Sequence, residues 1–204
     1  MDDERLMLPI GHLVGAGRVR RGTDVVALDD RQYAVWALAH GSPHAVAEQI
    51  TWQRDSIVEL ARHTGIANAA DLVRELLGIG LLAEVGLDGE EALDFARSHQ
   101  LTPLMLGLGN TARDPGRFAI GFLGQPVLHV DFAVYDLWQW SATDDTLWAV
   151  CESAADVVRR IAEDTTAGVD AEMLLARFLA ALHPLLLVNA AYVDVSFRLS
   201  GVSA

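Results

Sequence analysis

The sequence predicts a mainly helical α+β chain in which one compact plan is used twice. Three observations carry this. Apolar residues recur at helical spacing in segments that open on Ser, Asp or Asn and close on Gly. Short apolar runs (Val25 to Leu28, Phe118 to Phe122 and Val127 to Val130) read as strands. Most telling, Val25, Val26, Leu28, Asp29, Tyr33, Val35 and Trp36 return 102 positions on as Val127, Leu128, Val130, Asp131, Tyr135, Leu137 and Trp138. Leu72, Leu76 and Leu77 return as Leu174, Phe178 and Leu179 at the same offset, with a drift of about two residues between the blocks.

Each element has a local reason. The first helix runs from about Asp30 to Ala39, with Tyr33, Trp36 and Ala37 on one face, and Gly41 stops it. Ser42 caps and Pro43 opens a second helix through Ile50. A third covers Asp55 to His63 and ends at Gly65. Asn68 caps the fourth, whose buried stripe is Leu72, Leu76 and Ile79, and Gly80 to Val85 leaves it for a short strand. The helix Glu90 to His99 joins the halves. In the second half Tyr135 to Trp140 lie on the first helix, and Asp144 or Asp145 caps a helix through Cys151 that Ser153 to Glu163 continues or replaces. Asp170 caps Ala171 to Leu182, and Ala191 to Phe197 alternates as a final strand. A strand unit with three or four short helices in ~80–90 residues is the winged-helix pattern. The expected fold is therefore two tandem winged-helix modules related by internal duplication: 1–85, a linker helix over 86–100, and 101–204.

Composition narrows the partners. The 204 residues carry 28 Asp/Glu against 15 basic residues, all of them Arg, for a net charge of −13. Acidity spread over both halves repels nucleic acid and anionic membrane, so nucleic acid is disfavoured and no membrane partner is expected. The N-terminus lacks a secretory h-region, and one cysteine allows no internal disulfide. A cytoplasmic location is expected.

The segments Asp24-Val-Val-Ala-Leu28, Val35-Trp36-Ala-Leu-Ala-His-Gly41, Leu72-Val-Arg-Glu-Leu-Leu77 and Gly80-Leu-Leu82 give the first half, over residues 18–85, a further meaning. It resembles the PqqD-like modules that recognise leader peptides in peptide natural-product biosynthesis. The second half departs from that pattern, with Leu137-Trp138-Gln-Trp140 and no Gly-Leu-Leu. The resemblance implies a peptide groove between the strand bearing Val25, Val26 and Leu28 and the helix bearing Leu72, Leu76 and Ile79. The repeat offers a second, diverged groove at Val127, Leu128 and Val130. An extended peptide adding a strand there is a known recognition mode.

Other constellations are weaker. His40 and His44 are separated by Gly41-Ser42-Pro43, cannot share a helix face and read as solvated turn residues, so no metal is expected. Cys151 reads as a small buried side chain, and no catalytic grouping surrounds it. Gly107 to Ala112 is a GxGxxA string, but Arg113 to Arg117 after it reads as a turn, so it is a glycine loop rather than a dinucleotide fingerprint. No cofactor is expected. Arg18, Arg20 and Arg21, with Arg74 on the fourth helix, are the basic residues a DNA-reading regulator would use. Trp36 and Trp138 read as core. Trp52, Trp140 and the run Leu185 to Val188 read as surface for module packing or a homodimer. The expected function is a non-catalytic adaptor for a peptide or protein. The alternative is a DNA-binding regulator whose modules act as an intramolecular dimer.

Overall fold

The computed structural model describes residues 5–48, 52–161 and 169–197. A strand that the sequence reading lacks comes first, β1 (Arg5–Pro9), followed by an antiparallel meander of β2 (His12–Gly15), β3 (Arg18–Arg21) and β4 (Asp24–Ala27). Then come α1 (Asp30–Leu38), α2 (Pro43–Ala47), α3 (Arg54–His63) and α4 (Ala69–Gly78). Next is β5 (Leu82–Gly86), which lies antiparallel to β1 with Pro9 opposite Leu82. The helix α5 (Gly89–Ser98) leads to β6 (His99–Pro103) and a second meander, β7 (Leu106–Thr111), β8 (Asp114–Phe122) and β9 (Gln125–Val130). Four more helices follow, α6 (Phe132–Trp140), α7 (Leu147–Ile161), α8 (Ala171–Ala180) and α9 (Leu182–Leu187). The last strand, β10 (Ala191–Val195), pairs antiparallel with β6. The architecture is α+β with small separate sheets, and the order strand, meander, helices, strand occurs twice.

Caps explain where the helices begin. Asp29 accepts from the Arg31 and Gln32 amides while the Gln32 side chain returns to the Asp29 amide, a reciprocal capping box. Asp131, 102 positions on, accepts from the Val134 amide at α6. Ser42 accepts from the Ala45 amide, and Asp170 from the Glu172 amide. Asn68 precedes α4 but makes no side-chain capping bond. Gly41, Gly65 and Gly80 follow helices with φ of 101°, 95° and 70°, a region open to glycine without steric cost.

Several expectations need correcting. The helix expected to reach Ile50 ends at Ala47, and residues 49–51 lie outside the described set. The segment 147–161 is one continuous helix, and its expected end at Glu163 also lies outside that set. The glycine string is a strand rather than a loop: β7 pairs with β8 through register shifts at Gly107/Gly109 and Gly109/Thr111. Glycine is needed here for contact, since a Cβ on Gly107 would stand 2.3 Å from the Tyr135 hydroxyl. The expected turn at Arg113 to Arg117 is mostly β8.

Two apolar cores result. Met7, Val19, Val35, Trp36, Ile57, Leu72 and Leu76 fill the first, and Leu137, Trp138, Leu147, Phe178 and Leu182 the second. Along β1 and into the residue after it the side chains alternate between them: Leu6, Leu8 and then Ile10 enter the second core and Met7 the first. The β1–β5 ribbon is therefore a wall shared by both cores. Each such side chain, fully buried, contributes about 1.5–3 kcal/mol. Trp52 proves to be core, not interface; its Nε1–H donates to the Leu38 carbonyl at 2.8 Å. Trp140 is half exposed and donates to Asp136. Leu185 and Leu186 are buried in the second core. Among the described residues no helix is long and apolar enough to cross a membrane.

Candidate functional site

The first candidate is the outer edge of β4, which pairs with β3 alone. The Leu28 amide donates inward to the Gly17 carbonyl at 2.7 Å. Backbone direction alternates along a strand, so the amides and carbonyls of Val25 and Ala27 face the open edge. Helix α4 lies beside it. Arg21, just before β4, donates from Nη1 to the Ile79 carbonyl at 3.0 Å, and Gln32, just after it, reaches Glu75 at 3.5 Å. The strand thus runs past the last turns of α4.

Residues expected to line one groove separate here. Val26 and Leu28 are half-buried against the first core, whereas Val25, opposite Arg20, is on the other face and 57% exposed. Leu72 and Leu76 are buried in that core and unavailable to a ligand; they hold α4 in place. Ile79, at the end of α4, remains exposed. Of the expected groove residues, Val26 and Leu28 are thus only half-buried, and Ile79 is the exposed member of the α4 set.

The second edge, that of β9, has the same plan. Leu128 opposite Ile120 and Val130 opposite Phe118 pack against the second core, and Val127 sits at the register shift with its side chain exposed. Helix α8 is held alongside by Arg177, whose Nη2 lies 3.0 Å from Asp131. These two are the counterparts, 102 positions on, of Glu75 and Asp29. The second edge is blunter. Pro126 has no amide to donate, and the His129 carbonyl accepts from Arg117 at 3.2 Å.

The arginines do not gather. Arg74 pairs with Asp71 on the exposed side of α4 at 2.9 Å, Arg21 is spent on the end of α4, and Arg20 is half-buried on the opposite face of β3. Of these four, Arg18 is the exposed one without an ion pair among the described residues.

Arg20 points to a junction that the sequence reading missed. Asp194, on β10, is fully buried, and its Oδ1 accepts from the Gly22 and Val195 amides, both at 2.8 Å. Burial holds its carboxyl above the ordinary range, against the pull of its two amide donors, His12 and Arg20. His12, its ring 4.4 Å from Tyr192, is held below its usual range by burial and then by Arg20. Two further bonds cross between the halves: Gly11 amide to Val193 carbonyl (2.7 Å) and His183 Nε2–H to Met7 carbonyl (3.1 Å). One signal could have exposed this joint: an Asp in the middle of the apolar alternation Tyr192-Val-Asp-Val.

His40 is half-buried, edge-on to Trp36 at 4.7 Å, so it is not a solvated turn residue; His44 is exposed. Cys151 is buried and its thiol is pushed up to about 12 by desolvation, which leaves no thiolate for chemistry at neutral pH. Among the described residues no three His, Cys, Asp or Glu are grouped to hold a metal. No family model, curated protein or solved structure matches the chain.

Proposed function

We propose that this chain is a cytoplasmic, non-catalytic binding protein made of two winged-helix modules related by duplication, which takes an extended peptide at the open edge of β4. The observation that carries the reading is that edge. Outward-facing backbone groups at Val25 and Ala27 alternate with the half-buried Val26 and Leu28, and Arg21, just before the strand, bonds the carbonyl of the exposed Ile79. The resemblance of residues 18–85 to PqqD-like peptide-recognition modules supports it. Support for the duplication comes from the shared element order, the paired helix caps Asp29 and Asp131, and the constant offset. Of the two edges, the first is the better site, because Pro126 and Arg117 blunt the second. The DNA-regulator reading has less behind it, since Arg20, Arg21 and Arg74 are engaged elsewhere.

The test is selection from a displayed library of random peptides, followed by anisotropy with the enriched sequence. Ala27→Pro removes an outward amide without touching the β3 ladder and should weaken binding by about tenfold or more, some 1.4 kcal/mol. Its thermal midpoint should stay near that of the parent. Failure to enrich any peptide, or undiminished binding to Ala27→Pro, would sink the reading.

A further inference from the structure

Between the two halves lies a cleft of about 580 Å³. That is within the ~300–1,000 Å³ typical of small-molecule sites, which favour domain interfaces. The first half supplies His12, Tyr33, Trp36 and His40, and the second supplies Leu104 and Tyr192. The rings are set against one another. Tyr33 and Trp36 stack at 6.2 Å, His40 meets Trp36 edge-on at 4.7 Å, and His12 leans on Tyr192 at 4.4 Å. The Trp36 indole is fixed by its bond to the Ile10 carbonyl.

The lining has an unusual charge property for this chain. With 28 acidic and 15 basic residues overall, not one Asp, Glu or Arg lines this cleft. Each of three other clefts carries a carboxylate: Asp136 between α6 and α7, Glu152 between α7 and α8, Glu59 between α2 and α3. Hydrogen-bonding capacity here comes from neutral groups. His40 donates from Nδ1 to the Ala37 carbonyl at 3.1 Å, so its Nε2 keeps a lone pair, and burial keeps the ring uncharged. Asn189, with φ of 54°, caps the end of α9 at the cleft and brings a neutral amide. A charged ligand would lose water here and gain no counter-charge. A flat neutral ring would gain aromatic faces and edges.

We propose that this cleft binds an uncharged aromatic ring, carried either by a free small molecule or by an aromatic residue of a peptide. The site shares no residue with the β4 edge, so either proposal can fail without the other.

Indole is the probe, titrated into the ¹⁵N-labelled full chain and followed at the Trp36 indole N–H and the Gly11, Gly41 and Tyr192 amides. Indole-3-acetate and tryptamine are its charged counterparts, and acetyl-Ala-Trp-Ala-amide its peptide form. Indole should shift these signals, with either charged analogue weaker by about tenfold or more. Leu13→Asp and Leu104→Asp place a charge at the exposed rim from opposite halves, and each should weaken indole by about as much while the rest of the spectrum stays folded. Tighter binding of the tripeptide assigns the ring to a peptide; its exclusion, with indole still bound, assigns a free molecule. No shift at the cleft up to the solubility of indole, equal binding of a charged analogue, or undiminished binding in both Asp variants would overturn the site.

Discussion

The hairpin tips of the two meanders occupy equivalent places 102 residues apart, yet they are treated in opposite ways. In the first, Arg20-Arg21-Gly22 folds inward: Arg21 meets the Ile79 carbonyl, the Gly22 amide meets Asp194, and Arg20 lies in the field of that carboxylate. In the second, Phe122 is 55% and Leu123 87% exposed. The difference lies in what stands opposite. The first tip faces the end of α4 and the last strand of the other half, and the second is offered no equivalent strand among the described residues. The joint between the halves is therefore one-directional: one half's tip meets the other half's final strand, and the contact is not returned.

Acid is the largest expected disturbance of this asymmetry, because the histidines packed around the joint are kept neutral by burial. His99 and His183 are each held at about 4 against 6.5 for the free side chain. Between those values the unfolded chain takes up protons that the folded chain refuses. The stabilisation is complete above pH 6.5 and drains as pH falls toward about 4. The shift at the well-buried His183 corresponds to about 3 kcal/mol at most, and the partly exposed His99 adds less. Asp194, raised by burial, works in the opposite sense. Urea midpoints measured across pH 7 to 4 should fall steadily, and a flat profile would show the joint to be indifferent to these rings.

Asp194→Ala comes next. It strands the buried Gly22 amide and removes the counter-charge from Arg20, and it should cost about 3 kcal/mol in a urea melt at neutral pH. A loss below about 0.5 kcal/mol, the ordinary range of surface changes, would mean the first tip is not anchored there.

Exchanging the characters of the tips gives the smallest effect and the sharpest comparison. Arg21→Leu should cost about 1 kcal/mol by freeing the Ile79 carbonyl, while Leu123→Ser should stay within about 0.5 kcal/mol and improve solubility. The reverse ranking would refute the contrast between the tips.

Elements with local determinants could be read from the chain. The caps at Ser42 and Asp170, and the buried positions Leu72, Leu76 and Phe178, are short-range signals and were legible, whereas Asn68 makes no capping bond. What escaped depends on distant partners. β1 is a strand only because β5 returns beside it, and its run Leu6-Met-Leu8 has no period that tells strand from helix. Position 107 of β7 is glycine because Tyr135 crowds it, a fact invisible until α6 is placed. The edge positions Val25 and Val127 were legible as apolar residues of short strands. That Leu72 and Leu76 belong to the interior, and that Arg20 and Arg21 turn inward, follows from where α4 and β10 come to rest.

The ribbon of β1 and β5 has a consequence for cooperativity. Met7 leans into one core while Leu6, Leu8 and Ile10 lean into the other, so neither core can melt without stripping a face from the strand that completes its neighbour. Calorimetry should find a single peak whose van't Hoff and calorimetric enthalpies agree. Cleaving the chain within α5 should leave two fragments that reassociate rather than two independent folds, since the wall between them belongs to both.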